Sequence, residues 1–156
     1  MLNLISNLHF VKGLDPVADA FAGATVYSDV VDMQEYGECL FVIQTGVGAT
    51  GTSTLTVEAC DDIVPTTAAA IAFRYKAILS GDTHGALTAA AAAGAATTAG
   101  NSKIYVIEVQ AQDLVSTGYR YVRLKAAEVV DSPVLGGILI ILGAPKYQGT
   151  HNSAID

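Results

Sequence analysis

Residues 54–61 read TLTVEACD, and this stretch decides the fold class. Apolar side chains at alternate positions, Leu55, Val57 and Ala59, are separated by polar or charged ones. Since successive side chains of a strand point to opposite faces, a period of two is the pattern of a strand with one buried face. The stretch therefore predicts a half-buried β-strand.

Strand patterns of similar length recur on both sides of this stretch. They are 24–33 (ATVYSDVVDM), 38–45 (ECLFVIQT), 72–79 (AFRYKAIL), 103–109 (KIYVIEV), 119–125 (YRYVRLK) and 134–142 (VLGGILIIL). No stretch carries a convincing pattern for a long helix. We therefore expect an all-β domain, an antiparallel β-sandwich of Greek-key or jelly-roll type with about seven or eight strands.

The segment between the second and third of these strands, GVGATGTS, is rich in glycine and threonine, which favours a hairpin loop. In a symmetric hairpin, Cys39 faces Cys60 across the two strands. Phe41 and Ile43 then share one face of the strand, and its other face is also apolar. Such a strand lies either at the centre of a sandwich or at a subunit contact.

Residues 86–99 read ALTAAAAAGAATTA, a tract of small side chains without charge. Gly94 and the pair Thr97-Thr98 interrupt the alanine run, so a long helix is not expected. The tract belongs to a loop of roughly twenty residues, 81–101, and a structureless loop of that length normally counts against the strands around it. Two interpretations stay open. The tract is either a solvated low-complexity loop or a contact loop, ordered in an assembly and mobile in the free protein.

Charge is scarce in this chain of 156 residues, a length that fits one domain. Charged residues make up 15% and the net charge is -7. Soluble proteins carry about a quarter charged residues, so part of the surface is expected to be covered by further copies or by a larger assembly. The eight lysines and arginines are scattered. We therefore expect no nucleic-acid partner, since phosphate binding needs a basic stripe.

The two ends of the chain lack strand patterns of the same quality. Residues 1–23 are interrupted by Gly13 and Pro16, which predicts an arm or an irregular segment before a sandwich domain at 24–147. Residues 148–156 (QGTHNSAID) read as a loose tail. The amino terminus has no secretory-signal pattern, and the apolar run at 134–142 is too short to span a membrane. Synthesis in a cytoplasm without membrane attachment is expected.

No catalytic constellation stands out. The histidines, His9, His84 and His151, lack the spacing of metal ligands. Cys39 and Cys60 lie inside strands, where buried inert thiols are common, although a disulfide between them stays open in an oxidising compartment. The acidic pairs suit turns, and GVGATG is not followed by the helix that a phosphate site needs. We expect no catalytic, metal-binding or cofactor-binding residues, no cofactor and no enzymatic activity.

The order of these segments resembles a known family. YGECLFV (36–42), LTVEACD (55–61), FRYK (73–76), the alanine tract, IEV (107–109), GYRYV (118–122) and APKY (144–147) follow one another as in the head decoration, or cement, proteins of tailed bacteriophages. The resemblance covers residues 24–147. It implies a protein made in the host cytoplasm that binds the outside of the phage head, partners the major capsid protein, and self-associates as a homotrimer.

A contact function directs attention to uncharged and apolar segments. The arm suits addition to a neighbouring sheet, the 38–45 strand has two apolar faces, and the alanine tract suits close contact. The candidate interface residues are Leu4, Leu8, Phe10, Phe41, Ile43, Ala91, Ala92, Gly94 and Thr97.

Two alternatives stay open beside the decoration protein. One is another virion component, such as a tail, head–tail joining or fibre protein. The other is a sandwich module that binds glycans or a cell surface without catalysis, which predicts that exposed aromatics such as Tyr27, Tyr119 or Tyr147 line a groove.

Overall fold

A computed structural model describes residues 4–147 and 153–155. Two 3₁₀ helices, Leu4–Asn7 and Ala111–Thr117, accompany the strands. The strands are β1 (His9–Val17), β2 (Thr25–Tyr27), β3 (Val31–Asp32), β4 (Tyr36–Thr45), β5 (Thr52–Cys60), β6 (Ala68–Ile71), β7 (Phe73–Ile78), β8 (Thr88–Ala90), β9 (Ala95–Ala96), β10 (Ile104–Gln110), β11 (Tyr121–Val130) and β12 (Gly136–Pro145).

The strands form two antiparallel sheets that pack face to face, which confirms the predicted all-β sandwich. The first sheet has the order β1-β12-β4-β10-β7-β8. The second has the order β2-β11-β5-β6, with β3 paired to β11 and β9 paired to β5. The described residues hold twelve strands rather than about eight. The predicted 24–33 strand divides into β2 and β3, residues 9–17 form β1, and short pieces of alanine-rich chain form β6, β8 and β9.

The pairing order is that of a jelly roll. β1 pairs with β12, β2 with β11, β4 with β10 and β5 with β6. These pairs are nested, so the chain behaves as one long hairpin whose arms are rolled into two sheets. β7, β8 and β9 are inserted between β6 and β10 and lengthen the open edge of the sandwich.

The core consists of alternate side chains that point inward from both sheets. Phe41 and Ile43 of β4 lie fully buried between the sheets, as do Val57 of β5 and Leu124 of β11. The alternation in 54–61 therefore predicts the inner face of β5 correctly. Phe41 and Ile43 are core residues of one chain, which corrects their assignment to an interface. Their strand is central in the sheet, which accounts for its buried inner face; Leu40 and Val42 on its other face are only half-buried.

The predicted hairpin between β4 and β5 is wrong. β4 belongs to the first sheet and β5 to the second, so the loop 46–51 crosses from one sheet to the other. Cys39 faces Val109 and Leu142 in the first sheet, whereas Cys60 faces Tyr121 in the second. Both thiols are free and buried. A glycine-rich loop suits either connection, and only the tertiary pairing decides between them.

Both ends of the chain contribute to the sandwich. β1 is an edge strand with two register shifts, between Lys12 and Leu14 and between Leu14 and Val17. β1 hydrogen-bonds to β12 of its own sheet. Of the two predicted alternatives, an arm or an irregular segment, the structure therefore has the irregular segment. Ala154 is only 1% exposed, and its carbonyl accepts a hydrogen bond from the Asp32 amide at 2.7 Å. This part of the tail is packed rather than loose; residues 148–152 and 156 lie outside the described part.

The alanine tract bridges the two sheets and is not a structureless loop. Its first strand, β8, pairs with β7 in the first sheet, and its second, β9, pairs with β5 in the second. Gly94 turns the chain between them with a φ of 97°. The part of the tract around Gly94 and β9 therefore packs on β5 of the same chain. Contact of the tract with a neighbouring subunit stays a prediction.

The turn between β5 and β6 depends on one carboxylate. Asp61 accepts hydrogen bonds from the Thr66 hydroxyl at 2.6 Å and from the amides of Thr66 and Thr67 at 3.0 Å. The Thr66 hydroxyl bond first, and the Thr67 amide bond after it, hold the pKa of Asp61 below its ordinary value. The ionised carboxylate is thus the form that fits the folded turn.

Replacing Asp61 by Asn is expected to lower the melting temperature at pH 7. Because the folded pKa is depressed, the stabilisation by Asp61 is complete above the unfolded pKa of about 4 and is lost as the pH falls through the folded pKa. The difference in melting temperature between the native chain and Asp61→Asn should therefore shrink as the pH falls below about 4. Calorimetry from pH 7 to pH 2 measures it, with exposed Asp131→Asn as the control. A difference that does not change with pH contradicts the assigned role.

Candidate interaction surface

The outer face of the first sheet is unusually apolar. Phe10, Ile141 and Leu40 lie opposite one another on adjacent strands, and Leu139, Val42 and Val106 form the next row. Phe10 is 49% exposed and Leu139 is 41% exposed. We call this surface the outer apolar face; its residues are Phe10, Leu40, Val42, Ile104, Val106, Leu139 and Ile141.

The outer face of the second sheet has the opposite character. Glu58 accepts hydrogen bonds from Arg123 Nε at 2.9 Å and lies 2.8 Å from Arg123 Nη2, with Lys125 Nζ at 3.5 Å. The Arg123 guanidinium also covers the Tyr27 ring, 3.9 Å from its centroid. Charged groups here satisfy one another and coexist with water. The sandwich therefore has one polar side and one apolar side.

A hollow of about 400 Å³ lies at one end of the outer apolar face. Val42 and Leu139 line it, together with Leu14 and Pro16 from β1. Gly136 and Gly137 at the start of β12 also line it. A Cβ on Gly137 would lie 2.9 Å from the Leu14 carbonyl oxygen, so β1 packs directly on this glycine. The volume of the hollow is within the range of cavities that accept a small ligand or a large side chain.

Charges at the margin of this face are of both signs. Lys12 Nζ lies 3.8 Å from Asp15 Oδ1, and Arg74 lies opposite Glu108 in the pairing of β7 with β10. Lys76 and Glu38 lie on the same side of the sheet, at the register positions facing Val106 and Gly143. Three basic and three acidic side chains balance, although the whole chain carries a net charge of -7.

A second apolar surface lies at the end of the sandwich where β4 ends and β12 begins. Val47 is 73% exposed, and Leu135, Val129 and Val130 are exposed beside it. The two loops that carry it, 46–51 and 131–135, are held together by backbone hydrogen bonds from Gly46 to Leu135 and from Leu135 to Val47, at 2.7 and 2.8 Å. We call this surface the loop tip.

The sequence-derived interface residues occupy different environments. Phe10 lies on the outer apolar face, and Leu8 lies beside it, against Gly143. Leu4 is exposed on the first 3₁₀ helix. Ala91 and Ala92 are also exposed. Gly94 packs on β5, and Thr97 accepts a hydrogen bond from the Ser53 amide at 2.8 Å, so both are engaged within the chain.

Most of the outer apolar face was missed by sequence reasoning. Leu40, Val42, Leu139 and Ile141 alternate with core residues along β4 and β12. The signal in the sequence was that both the odd-numbered and the even-numbered positions of the 38–45 and 134–142 segments are apolar. This pattern could have identified a second apolar face, but it does not show which set of alternate side chains points outward.

The cysteines and the described histidines, the residues most often used in catalysis and metal binding, lie in environments that suit packing rather than chemistry. Burial raises the pKa of the Cys60 thiol to about 11, and burial also raises the pKa of Cys39, so both thiols are protonated at neutral pH. The His9 ring stacks on Tyr36 with centroids 5.7 Å apart. His84 makes an isolated bridge to Ile78, and His151 lies outside the described residues. Within 4–147 and 153–155, His, Cys, Asp and Glu form no group of three that could hold a metal ion.

Among the described residues, no helix has the length and hydropathy to cross a membrane. No family model, curated protein or solved structure matches the chain. The two apolar surfaces and the resemblance in segment order are thus the features that bear on its function.

Proposed function

We propose that the chain is a non-enzymatic structural virion protein that binds the outside of a bacteriophage head. In this role it stabilises the capsid by bridging subunits of the major capsid protein, after synthesis in the host cytoplasm. The observation that carries the proposal is the pair of uncovered apolar surfaces on a sandwich whose core is already complete. Apolar patches of this kind mark contact sites on proteins. The jelly roll is also an architecture of viral capsid and lectin domains.

The loop tip is the surface proposed to meet the capsid. Val47 and Leu135 project from loops fixed to each other, and the Asn101 side chain accepts a hydrogen bond from the Gly48 amide at 3.0 Å. A rigid apolar tip loses little conformational entropy on binding. Many copies, each contacting more than one capsid subunit, would stabilise a shell through avidity rather than through one tight site.

A glycan-binding module is less well supported by the geometry. The Arg123 guanidinium lies over the Tyr27 ring, although Tyr27 is 43% exposed and lines a second hollow with Phe10. Tyr119 packs against the hydrophobic core. Tyr147 is 68% exposed but, like Tyr119, does not line that hollow. The three tyrosines therefore do not share one groove on which a sugar chain could stack. Another position in the virion, on the tail or at the head–tail joint, uses the same kind of contact surface and is separated by experiment.

The test is co-sedimentation with expanded heads of the phage that encodes the chain. Native protein is expected to sediment with heads and to raise the temperature at which they release DNA. Val47→Asp should weaken binding at least about tenfold, since a charge would be desolvated in the contact. The control is Val64→Asp, because Val64 is 76% exposed in the loop at the opposite end.

Failure of folded native protein to sediment with heads at micromolar concentration overturns the proposal. Equal losses in Val47→Asp and Val64→Asp overturn the assignment of the tip. Electron microscopy of labelled particles decides the position, and label confined to the tail favours the other virion component.

A further inference from the structure

We propose that two copies of the chain pair through their outer apolar faces, with Phe10 of each copy seated in the hollow of the other. The pairing goes beyond the proposed capsid binding. The hollow shares Leu135 and Gly46 with the loop tip, but the pairing is measured in solution without heads, so the two proposals fail separately. The occupant of the face is thus a second copy of this chain.

The positions of Phe10 and the hollow are suited to a two-fold contact. Lys12, Leu139 and Val42 form a row across three strands. Phe10 belongs to the next row on one side of it. The hollow lies to the other side of the Lys12 row, around Gly137. Each is roughly 7 Å from the row, two residues along a strand. A two-fold axis along the row exchanges the two positions, so each copy supplies one knob and one hole.

Charge favours a second copy as the partner. The chain has a net charge of -7, so two copies repel each other over most of their surfaces. On this face, Lys12, Arg74 and Lys76 balance Asp15, Glu38 and Glu108. The face is therefore the part of the first sheet where two copies can approach without net repulsion.

The outer side of the first sheet, with its charged margin included, approaches the size of a stable pair's contact. The outer apolar face occupies four strands, β1, β12, β4 and β10. With the charged margin on β7 and with β8 included, six strands at about 4.8 Å spacing and roughly seven residues at about 3.3 Å each give about 650 Å² in projection. Stable complexes bury about 800 Å² on each partner. The aligned stacking of two sheets is a common packing in proteins, with side chains interdigitating between them.

The first measurement is the mass of the full chain in solution without heads. Light scattering after size exclusion is expected to give about 32 kDa, twice the 16.1 kDa of one chain. A two-fold contact differs from the homotrimer that the family resemblance implies, and a mass three times that of the chain overturns the pairing. A monomer at several hundred micromolar also overturns it.

Two variants test the knob and the hole separately. Phe10→Ala removes the knob, and Gln44→Trp fills the hollow from an exposed position that lines it. Each is expected to raise the dissociation constant at least about tenfold. The control is Tyr147→Ala, which removes an exposed aromatic side chain elsewhere. Circular dichroism and thermal melting establish that each variant is folded, and folded variants that pair as tightly as the native chain overturn the proposal.

A cross-link tests the position of the axis. A residue on a two-fold axis meets its own copy, so Leu139→Cys is expected to form an intermolecular disulfide on mild oxidation. The native thiols, Cys39 and Cys60, are buried and should not interfere. The matched control is Thr83→Cys in the exposed β7–β8 connection. Cross-linking of the control but not of Leu139→Cys overturns the assigned face, whatever the outcome with phage heads.

Discussion

Phe41→Ala is expected to lower the free energy of unfolding by about 3–5 kcal/mol, the usual cost of removing a buried phenyl ring. Phe41 is 0% exposed. It lies on the central strand β4, opposite Ile107 on β10 and Ile140 on β12. The neighbouring strands are held by hydrogen bonds on both sides of β4, so the cavity can collapse only partly. A large loss is therefore expected.

The measurement is urea unfolding at a protein concentration low enough to keep the chain monomeric. Phe10→Ala is the matched control, since it removes the same ring from an exposed position and should cost less than about 1 kcal/mol. Self-association should show the opposite order of effects. Phe10→Ala should weaken it directly, whereas Phe41→Ala should affect it only through loss of folding. A stable Phe41→Ala chain that fails to pair would restore Phe41 to the interface.

The alternation of apolar and polar side chains predicted which segments are strands, because this pattern depends only on a single strand having one buried face. The alternate apolar positions of 54–61 do point into the core as β5. The 38–45 segment was harder, since Leu40 and Val42 are as apolar as Phe41 and Ile43. Which set faces inward depends on the second sheet, and no local pattern contains that information.

Strand pairing is the property that the sequence left undetermined. A hairpin between β4 and β5 and a crossover between sheets both need a flexible glycine-rich loop, so GVGATGTS fits either. β9 pairs through backbone groups of Ala95 and Ala96, which carry no hydrophobic pattern. Ala154 is a single small residue in a polar tail, and its burial depends on a gap that only the folded sandwich creates.

Gly94→Ala is expected to destabilise the chain by about 2–5 kcal/mol, from left-handed backbone strain together with overpacking. The φ of Gly94 is 97°. A Cβ there would lie 2.5 Å from the Leu55 carbonyl oxygen and 2.8 Å from the Thr56 hydroxyl. The carbonyl belongs to β5, which pairs with β11 and cannot easily shift. The turn between β8 and β9 would therefore move away from the sheet.

The control is Gly23→Ala, because Gly23 has a similar φ of 87° and no atom within 4 Å of the position of a Cβ. It should cost only the backbone strain, about 1–2 kcal/mol. The additional loss in free energy of unfolding in Gly94→Ala, compared with Gly23→Ala, measures how closely the alanine tract approaches β5. Hydrogen exchange should then report faster exchange at the Thr97 amide, which bonds to the Ser53 carbonyl at 2.8 Å. Equal costs for the two variants would mean that the tract is free of β5 in solution and available to a neighbouring subunit.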